Sequence, residues 1–184
     1  MIFRDLLWSD FDSLLETYYH LYEERAAGEP IGIHLFAQPP SKAEEVEWFA
    51  NLYRKNLARE WICAVAEEGG RAVGSCVIQP EGGRRDSEIG HVGVLGILVD
   101  HRYRGRGAGT SLLLRSLEQA RGQFEIVRLG VFANNESAKR LYRRMGFTTY
   151  GQLPRAIRRG TAHLDEEFMF VNMEGWVPPP SPNR

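Results

Sequence analysis

Apolar and polar positions change period along this chain, and the changes mark out its elements. Residues 2–6 read as a first strand. Over residues 9–25 the period lengthens: Phe11, Leu14, Leu15, Tyr18 and Leu21 fall on one helical face, with Ser9 and Asp12 spaced as a capping box. Residues 28–40, rich in glycine and proline, read as a loop. Ser41 and Glu44 cap a second helix whose inner face carries Val46, Phe49, Leu52 and Tyr53.

Residues 61–67 and 71–79 return to strand character on either side of Gly69-Gly70, a two-residue hairpin turn. Counting outward, Glu68 pairs with Arg71 and Cys63 stands opposite Cys76, where Cα atoms of a non-hydrogen-bonded pair lie about 4.5 Å apart. That spacing admits a disulfide, whereas a reducing compartment favours two packed thiols.

Residues 80–86 form a polar loop, and a long strand is expected over 88–99. A helix-like run over 111–117 and a strand over 125–132 follow. Ala138, Leu141, Tyr142 and Met145 then recur at helical spacing, and Gly146 ends that helix. Residues 147–151 and 164–173 read as the last two strands, with 153–163 between them. Strands in a run with helices inserted imply a mixed α/β sheet. One domain over residues 1–175 and a disordered Pro-rich tail over 176–184 are expected.

The most informative stretch joins the long strand to the helix after it: Val99-Asp100-His101-Arg102-Tyr103-Arg104-Gly105-Arg106-Gly107-Ala108-Gly109-Thr110. A glycine-rich turn opening a helix aims free N–H groups and the positive end of the helix dipole at one spot, which suits phosphate. Gly107 and Gly109 lack a Cβ that would obstruct an anion. The spacing is not that of a Walker loop, since no lysine follows, and Gly105, Gly107 and Gly109 do not fit the dinucleotide fingerprint.

The Arg104-x-x-Gly107-x-Gly109 turn resembles motif A of the GNAT family of N-acetyltransferases, which holds the pyrophosphate of coenzyme A. Downstream, Asn135-Glu136-Ser137-Ala138 leading through Leu141-Tyr142 to Gly146-Phe147 resembles the family's motif B. Together they cover roughly residues 60–173. The resemblance implies the GNAT fold: a mostly antiparallel sheet of about seven strands, flanked by helices and opened by a splayed strand pair at the acetyl-CoA site. It also implies direct acetyl transfer to a primary amine, without an acyl-enzyme.

On this resemblance Ile97, Leu98 and Val99 bind the pantetheine arm and polarise the thioester. Arg104, Gly105, Arg106, Gly107, Ala108, Gly109 and Thr110 wrap the pyrophosphate, and Asn135 is the cofactor-side asparagine. Tyr142 is the acid that protonates the departing thiolate; a phenol pKa near 10 suits that task. The base is open. Relatives carry an acid in one of two strands, but here the first reads Gly93-Val94-Leu95-Gly96 and the matching position in the second is Gly130. His91 is the first candidate and Glu88 the second, each alternatively an ordinary strand residue. Segment 157–169 resembles a branch containing amino-acid and archaeal protein-lysine acetyltransferases. Trp8, Tyr18, Tyr19, Phe36 and Trp48 are candidates for an acceptor pocket.

Composition narrows the classes further. The 184 residues suffice for one buried core. A net charge of −1 argues against a nucleic-acid partner. No apolar run is long enough for a membrane span and no signal peptide is evident, so a cytoplasmic protein is expected. Scattered histidines and two cysteines predict no metal site. Lys139, Arg140, Arg143 and Arg144 either form a solvated face or attract cofactor phosphates. A homodimer is compatible with the sequence. The alternative to catalysis is an acyl-CoA sensor or subunit that kept the cradle and lost the chemistry, as the missing strand acids would allow.

Overall fold

The centre of the molecule is a seven-stranded sheet with strand order β1-β2-β3-β4-β5-β7-β6. This computed structural model describes residues 1–29 and 31–180. The strands are β1 (Ile2–Asp5), β2 (Ile62–Glu68), β3 (Arg71–Pro80), β4 (Val92–Val99), β5 (Ile126–Phe132), β6 (Thr148–Arg159) and β7 (Ala162–Asn172). The helices are α1 (Phe11–Ala26), α2 (Lys42–Leu57), α3 (Ala108–Ala120) and α4 (Glu136–Arg144). β4 and β5 pair in parallel because the connection between them carries α3; the other pairs are antiparallel. None of the helices among the described residues is long and apolar enough to cross a membrane.

Each face of the sheet has its own core. On one, Leu112, Leu113 and Leu117 of α3 and Tyr142 and Met145 of α4 pack on Ile62, Cys76, Ile78, Leu95, Val127 and Leu129. On the other, Phe49 and Leu52 of α2 pack on Leu6, Cys63 and Val65. Full burial of one such leucine stabilises by about 1.5–3 kcal/mol. The Ser41–Glu44 capping box starts α2 as expected, but Val46 is exposed rather than inward. α1 begins at Phe11, not Ser9. Asp10 takes over the entry, accepting from the Leu7 amide at 2.8 Å and pairing with Arg4 at 2.7 Å, and Trp8–Asp10 forms a 3-10 turn.

Gly69 and Gly70 have φ of +58° and +77°, the left-handed geometry a tight hairpin needs, and Glu68 does pair with Arg71. The cysteine register, however, is wrong by one. Glu67 pairs with Ala72 and Ala66 with Gly74, so Val73 is an extra residue, a β-bulge. Cys63 therefore faces Val77, and Ala64 faces Cys76. A one-residue slip reverses the face. Cys63 enters the α2 core and Cys76 the α3 core, and both thiols are free.

Three further expectations change. β4 starts at Val92, and residues 88–91 form turns ahead of it. Residues 153–163 are no separate segment: β6 runs to Arg159 and reverses at Gly160-Thr161 into β7. The domain does not stop at 175, because Trp176 is buried, donates to the Met145 carbonyl at 2.9 Å and packs over Gly146. Within the expected tail, residues 181–184 lie outside the described residues.

Candidate active site

β4 and β5 pair only from Val92–Val94 to Ile126–Arg128. Beyond that β4 stays with β3 to Val99, while β5 stays with β7 to Phe132. The two halves of the sheet diverge into a V-shaped slot. Along its β4 wall, over Ile97, Leu98 and Val99, every second residue turns its N–H and C=O into the slot. Gly96 is exposed there, and a Cβ on it would meet open space.

The carboxyl end of β4 leads directly into the glycine turn. Gly105 and Gly107 have φ of +73° and +84°, and Gly107 is the N-cap of α3 with no side chain closing the helix end. The first intrahelical bond there is from Ser111 N–H to the Gly107 carbonyl, so the amides of Ala108, Gly109 and Thr110 stay free of the helix ladder. A Cβ on Gly107 would meet nothing within 4 Å, so the space beside this helix start is open. A Cβ on Gly109 would make an ordinary contact with Leu141 of α4 at 3.4 Å.

The arginines around the turn divide into braces and a free cation. Arg104 donates to the Val99 carbonyl at 2.9 Å and holds Glu24 of α1 at 2.7 and 3.1 Å, so it ties the turn to α1. Arg102 is paired with the buried Asp100 at 2.6 Å. Burial raises the Asp100 pKa, but bonds from Arg102 and His20 outweigh it and hold the carboxyl well below the usual carboxylate range. Arg106 is exposed, 5.7 Å from the Tyr103 ring centroid, and has no carboxylate partner among the described residues. It is the arginine at the turn placed to meet an anion.

Asn135 is the N-cap of α4; its side chain accepts from the Ala138 amide at 3.1 Å. Its Nδ2 rests against Gly32, where any Cβ would collide, so it also fixes the 28–40 loop. Tyr142 is 7 % exposed, about two turns down α4 from Asn135. Burial, and then the neighbouring Cys76, push its pKa above that of an ordinary phenol, so it holds its proton at neutral pH. Of the basic residues on α4, Lys139 and Arg143 are engaged by Glu136 and Glu167, and Arg140 and Arg144 are exposed.

The two candidate bases are displaced. Glu88 and His91 lie in the exposed turns before β4, at the end of the strand remote from the cradle. The eight residues of β4 put about 25 Å between His91 and the glycine turn. His91 borders a separate hollow with Arg85, Gln123 and Phe124.

A different carboxylate occupies the site. Glu166 of β7 places Oε1 where a side chain on Gly130 would be, so close that any Cβ there would collide with it. Its side chain is 13 % exposed and 3.3 Å from His34 Nε2. The β5 position that lacks an acid is thus filled from the adjacent strand. The sequence carried a signal: a glycine at the expected position, and the acidic run Asp165-Glu166-Glu167 on the strand paired with it. Glu166 also borders an open pocket of about 870 Å³ with Arg25, His34, Ile157 and Arg159. Of the N-terminal aromatics, Trp8 packs edge-on against Phe49 and Tyr53 and the Tyr19 hydroxyl donates to the Pro40 carbonyl, whereas Phe36 is exposed between Leu35 and Ala37, which border this pocket.

Comparison with known proteins agrees with this geometry. The L-methionine sulfoximine/L-methionine sulfone acetyltransferase of Pseudomonas paraeruginosa is 33 % identical over 79 residues, 42 % of this chain and 46 % of that protein. The chain therefore matches less than half the length of that curated relative. The ribosomal-protein-alanine N-acetyltransferase structure from Brucella melitensis superposes with a TM-score of 0.78 at 25 % identity, covering 94 % of this chain and 99 % of that one. The phosphinothricin acetyltransferase of Sinorhizobium meliloti, solved in complex with acetyl-CoA, gives 0.77 at 20 % identity over 98 % and 94 % of the two chains. The family model of the acetyltransferase (GNAT) family matches residues 4–147, and to that family this chain belongs.

Proposed function

We propose that this protein is an acetyl-CoA-dependent N-acetyltransferase acting on a primary amine by direct attack in a ternary complex. The observation that carries the reading is a conjunction: β4 and β5 part beyond Val94 and Arg128, α3 opens at Gly107 with no side-chain cap, and a carboxylate stands over Gly130 of β5. A thioester with a long arm and a pyrophosphate fits such an arrangement. The Ala108, Gly109 and Thr110 amides and Arg106 hold the pyrophosphate, and the open edge of β4 over Ile97–Val99 holds the arm and polarises the carbonyl.

Acetyl-CoA supplies the activated acyl carbon and a thiolate leaving group. The acceptor must arrive as a neutral amine, so Glu166 takes its excess proton and passes it to solvent. As the C–N bond forms and the C–S bond breaks, the nitrogen gives a second proton to Glu166, and Tyr142 gives its phenolic proton to the sulfur. Glu166 then releases its second proton to solvent, and solvent returns one to Tyr142. The products are the N-acetyl amine and free coenzyme A thiol. Held in place, the two reactants gain the advantage of an intramolecular reaction.

His91 and Glu88 have no part in this scheme, because they stand at the far end of β4. The sensor alternative drew its weight from the missing strand acids, and Glu166 over Gly130 counts against it. Calorimetry with acetyl-CoA, paired with thiol release in the presence of mixed primary amines, tests the reading. Amine-dependent release is the expected result; tight binding with no release by any amine would establish the sensor instead.

A further inference from the structure

The walls of the pocket beside Glu166 carry opposite charges. On one wall, Arg25 of α1 donates to the carbonyls of Phe36 and Ala37 at 2.9 and 3.0 Å, with its guanidinium 4.9 Å from the Tyr22 ring centroid. Beside it, Arg159 of β6 donates to the carbonyls of Ile31 and Ile33 at 3.0 and 3.4 Å and lies 5.1 Å from the Phe132 centroid. Neither guanidinium meets a carboxylate among the described residues. Burial, and then the charge of Arg25, lower the pKa of Arg159. Two half-buried cations thus share a wall with only neutral carbonyls and ring faces for partners. Such a pair is unfavourable on its own and becomes favourable when an anion completes it.

The opposite wall is Glu166. Phe132 connects the two: it is the register partner of Glu166, His34 lies 5.3 Å from its centroid, and Arg159 covers it. Arg159 and Glu166 thus flank the same aromatic ring and, with Arg25, line a single pocket of small-molecule size.

Building on the transfer reaction proposed above, we infer that the acceptor is a small amphoteric molecule whose carboxylate, or equivalent phosphorus or sulfur oxyanion, sits on Arg25 and Arg159 while its amine points to Glu166. The anion neutralises the arginine wall, and the ammonium meets the carboxylate that must deprotonate it. A polyamine would bring further positive charge against two uncompensated guanidiniums, which disfavours it.

The test uses the full chain with acetyl-CoA and follows thiol release with α-amino acids, the same amino acids as primary amides, and spermidine. The acids are expected to react, with kcat/KM for the amides lower by about tenfold to a hundredfold, the range of a lost hydrogen-bonded charge. Arg25→Gln and Arg159→Gln are expected to erase the preference by raising KM for the acids, and Arg25→Lys to restore part of it. A purely structural role would lower turnover of acids and amides alike. Because Arg25 and Arg159 both anchor carbonyls between Ile31 and Ala37, acetyl-CoA affinity by calorimetry serves as the folding control for each variant, and Arg25→Lys separates charge from structure. Amides or spermidine reacting as well as the acids would overturn this inference and leave acetyl transfer standing. Acetyl-CoA binding with no release in any arm would overturn transfer itself.

Discussion

The Glu166 carboxylate, on β7, stands over the bare Cα of Gly130, on β5, in the space a side chain at 130 would fill. The two positions are therefore exclusive. Gly130→Ala is expected to push Glu166 aside and cut turnover. Glu166→Gln is expected to cost about a hundredfold or more in kcat, the scale of a lost general base, with acetyl-CoA affinity unchanged. The double variant Gly130→Glu, Glu166→Gly vacates that space, moves the carboxylate to the neighbouring strand and should recover part of the activity. Steady-state kinetics on the three proteins check this; full activity in Glu166→Gln would remove Glu166 from the reaction.

Tyr142→Phe deletes one oxygen from a buried ring that otherwise keeps its packing against Phe147. We expect kcat to fall about a hundredfold while the acetyl-CoA Kd stays within error, the pattern of an interaction made only in the transition state. Pre-steady-state thiol release must show that chemistry is limiting. An unchanged chemical step would exclude the phenol.

Gly107 combines a φ of +84° with an open space where its side chain would project. Gly107→Ala is expected to destabilise the fold by roughly 1–2 kcal/mol through backbone strain. Gly107→Val should in addition weaken acetyl-CoA binding by about tenfold or more, as its side chain intrudes on the amides that cradle the pyrophosphate. Thermal denaturation and calorimetry separate the two effects, and a Val variant binding normally would disprove the cradle.

Asp100 ties the start of the turn to Arg102 and His20, and its carboxyl is held well below the usual range. A depressed folded-state pKa means its stabilisation is complete above the unfolded value of about 3.9 and fades as the pH falls toward the folded value. Asp100→Asn should therefore cost about 1–3 kcal/mol near pH 7, with the gap to the parent protein closing below about pH 4. Denaturant titrations across that range test the sign. A gap that widened on acidification would contradict it.

Both thiols should stay silent in the native protein. Burial pushes Cys76 up to about 12 and Cys63 higher still, and thiolate is the reactive form. Ellman titration should count both cysteines after unfolding, even in protein purified without reductant, and essentially none before.

Local chemistry was legible in the sequence where a short segment decides its own conformation. The Ser41–Glu44 box and the Gly69-Gly70 turn depend on neighbouring residues, and each forms as read. What failed was set by partners distant in sequence. The one local sign of the bulge is Gly74 beside Val73, which serves equally for close backbone approach, yet that extra residue sends Cys63 and Cys76 to opposite faces. Ser9 lost the helix start because Asp10 is held by Arg4. His91 looked like a strand base because residues 88–91 continue the pattern of β4, and only the sheet shows which end of the strand holds the chemistry. Glu166 was hidden because its relation to Gly130 runs across strands and the site motifs run along the chain.

The bulged stretch of β6 has a consequence for how copies of this protein meet. Its outer edge would otherwise offer a long unpaired ladder flanked by exposed Tyr150 and Leu153. Register breaks between Leu153 and Ile157, where Pro154 has no N–H and Arg155 has φ +58°, and Asp165 staples the irregularity by accepting from the Arg155 amide at 2.8 Å. At the other margin β1 is four residues long. Sheet extension is thus blocked at both margins, one by brevity and one by a kink, and the protein resists strand-to-strand aggregation even though its outermost strand is among its longest.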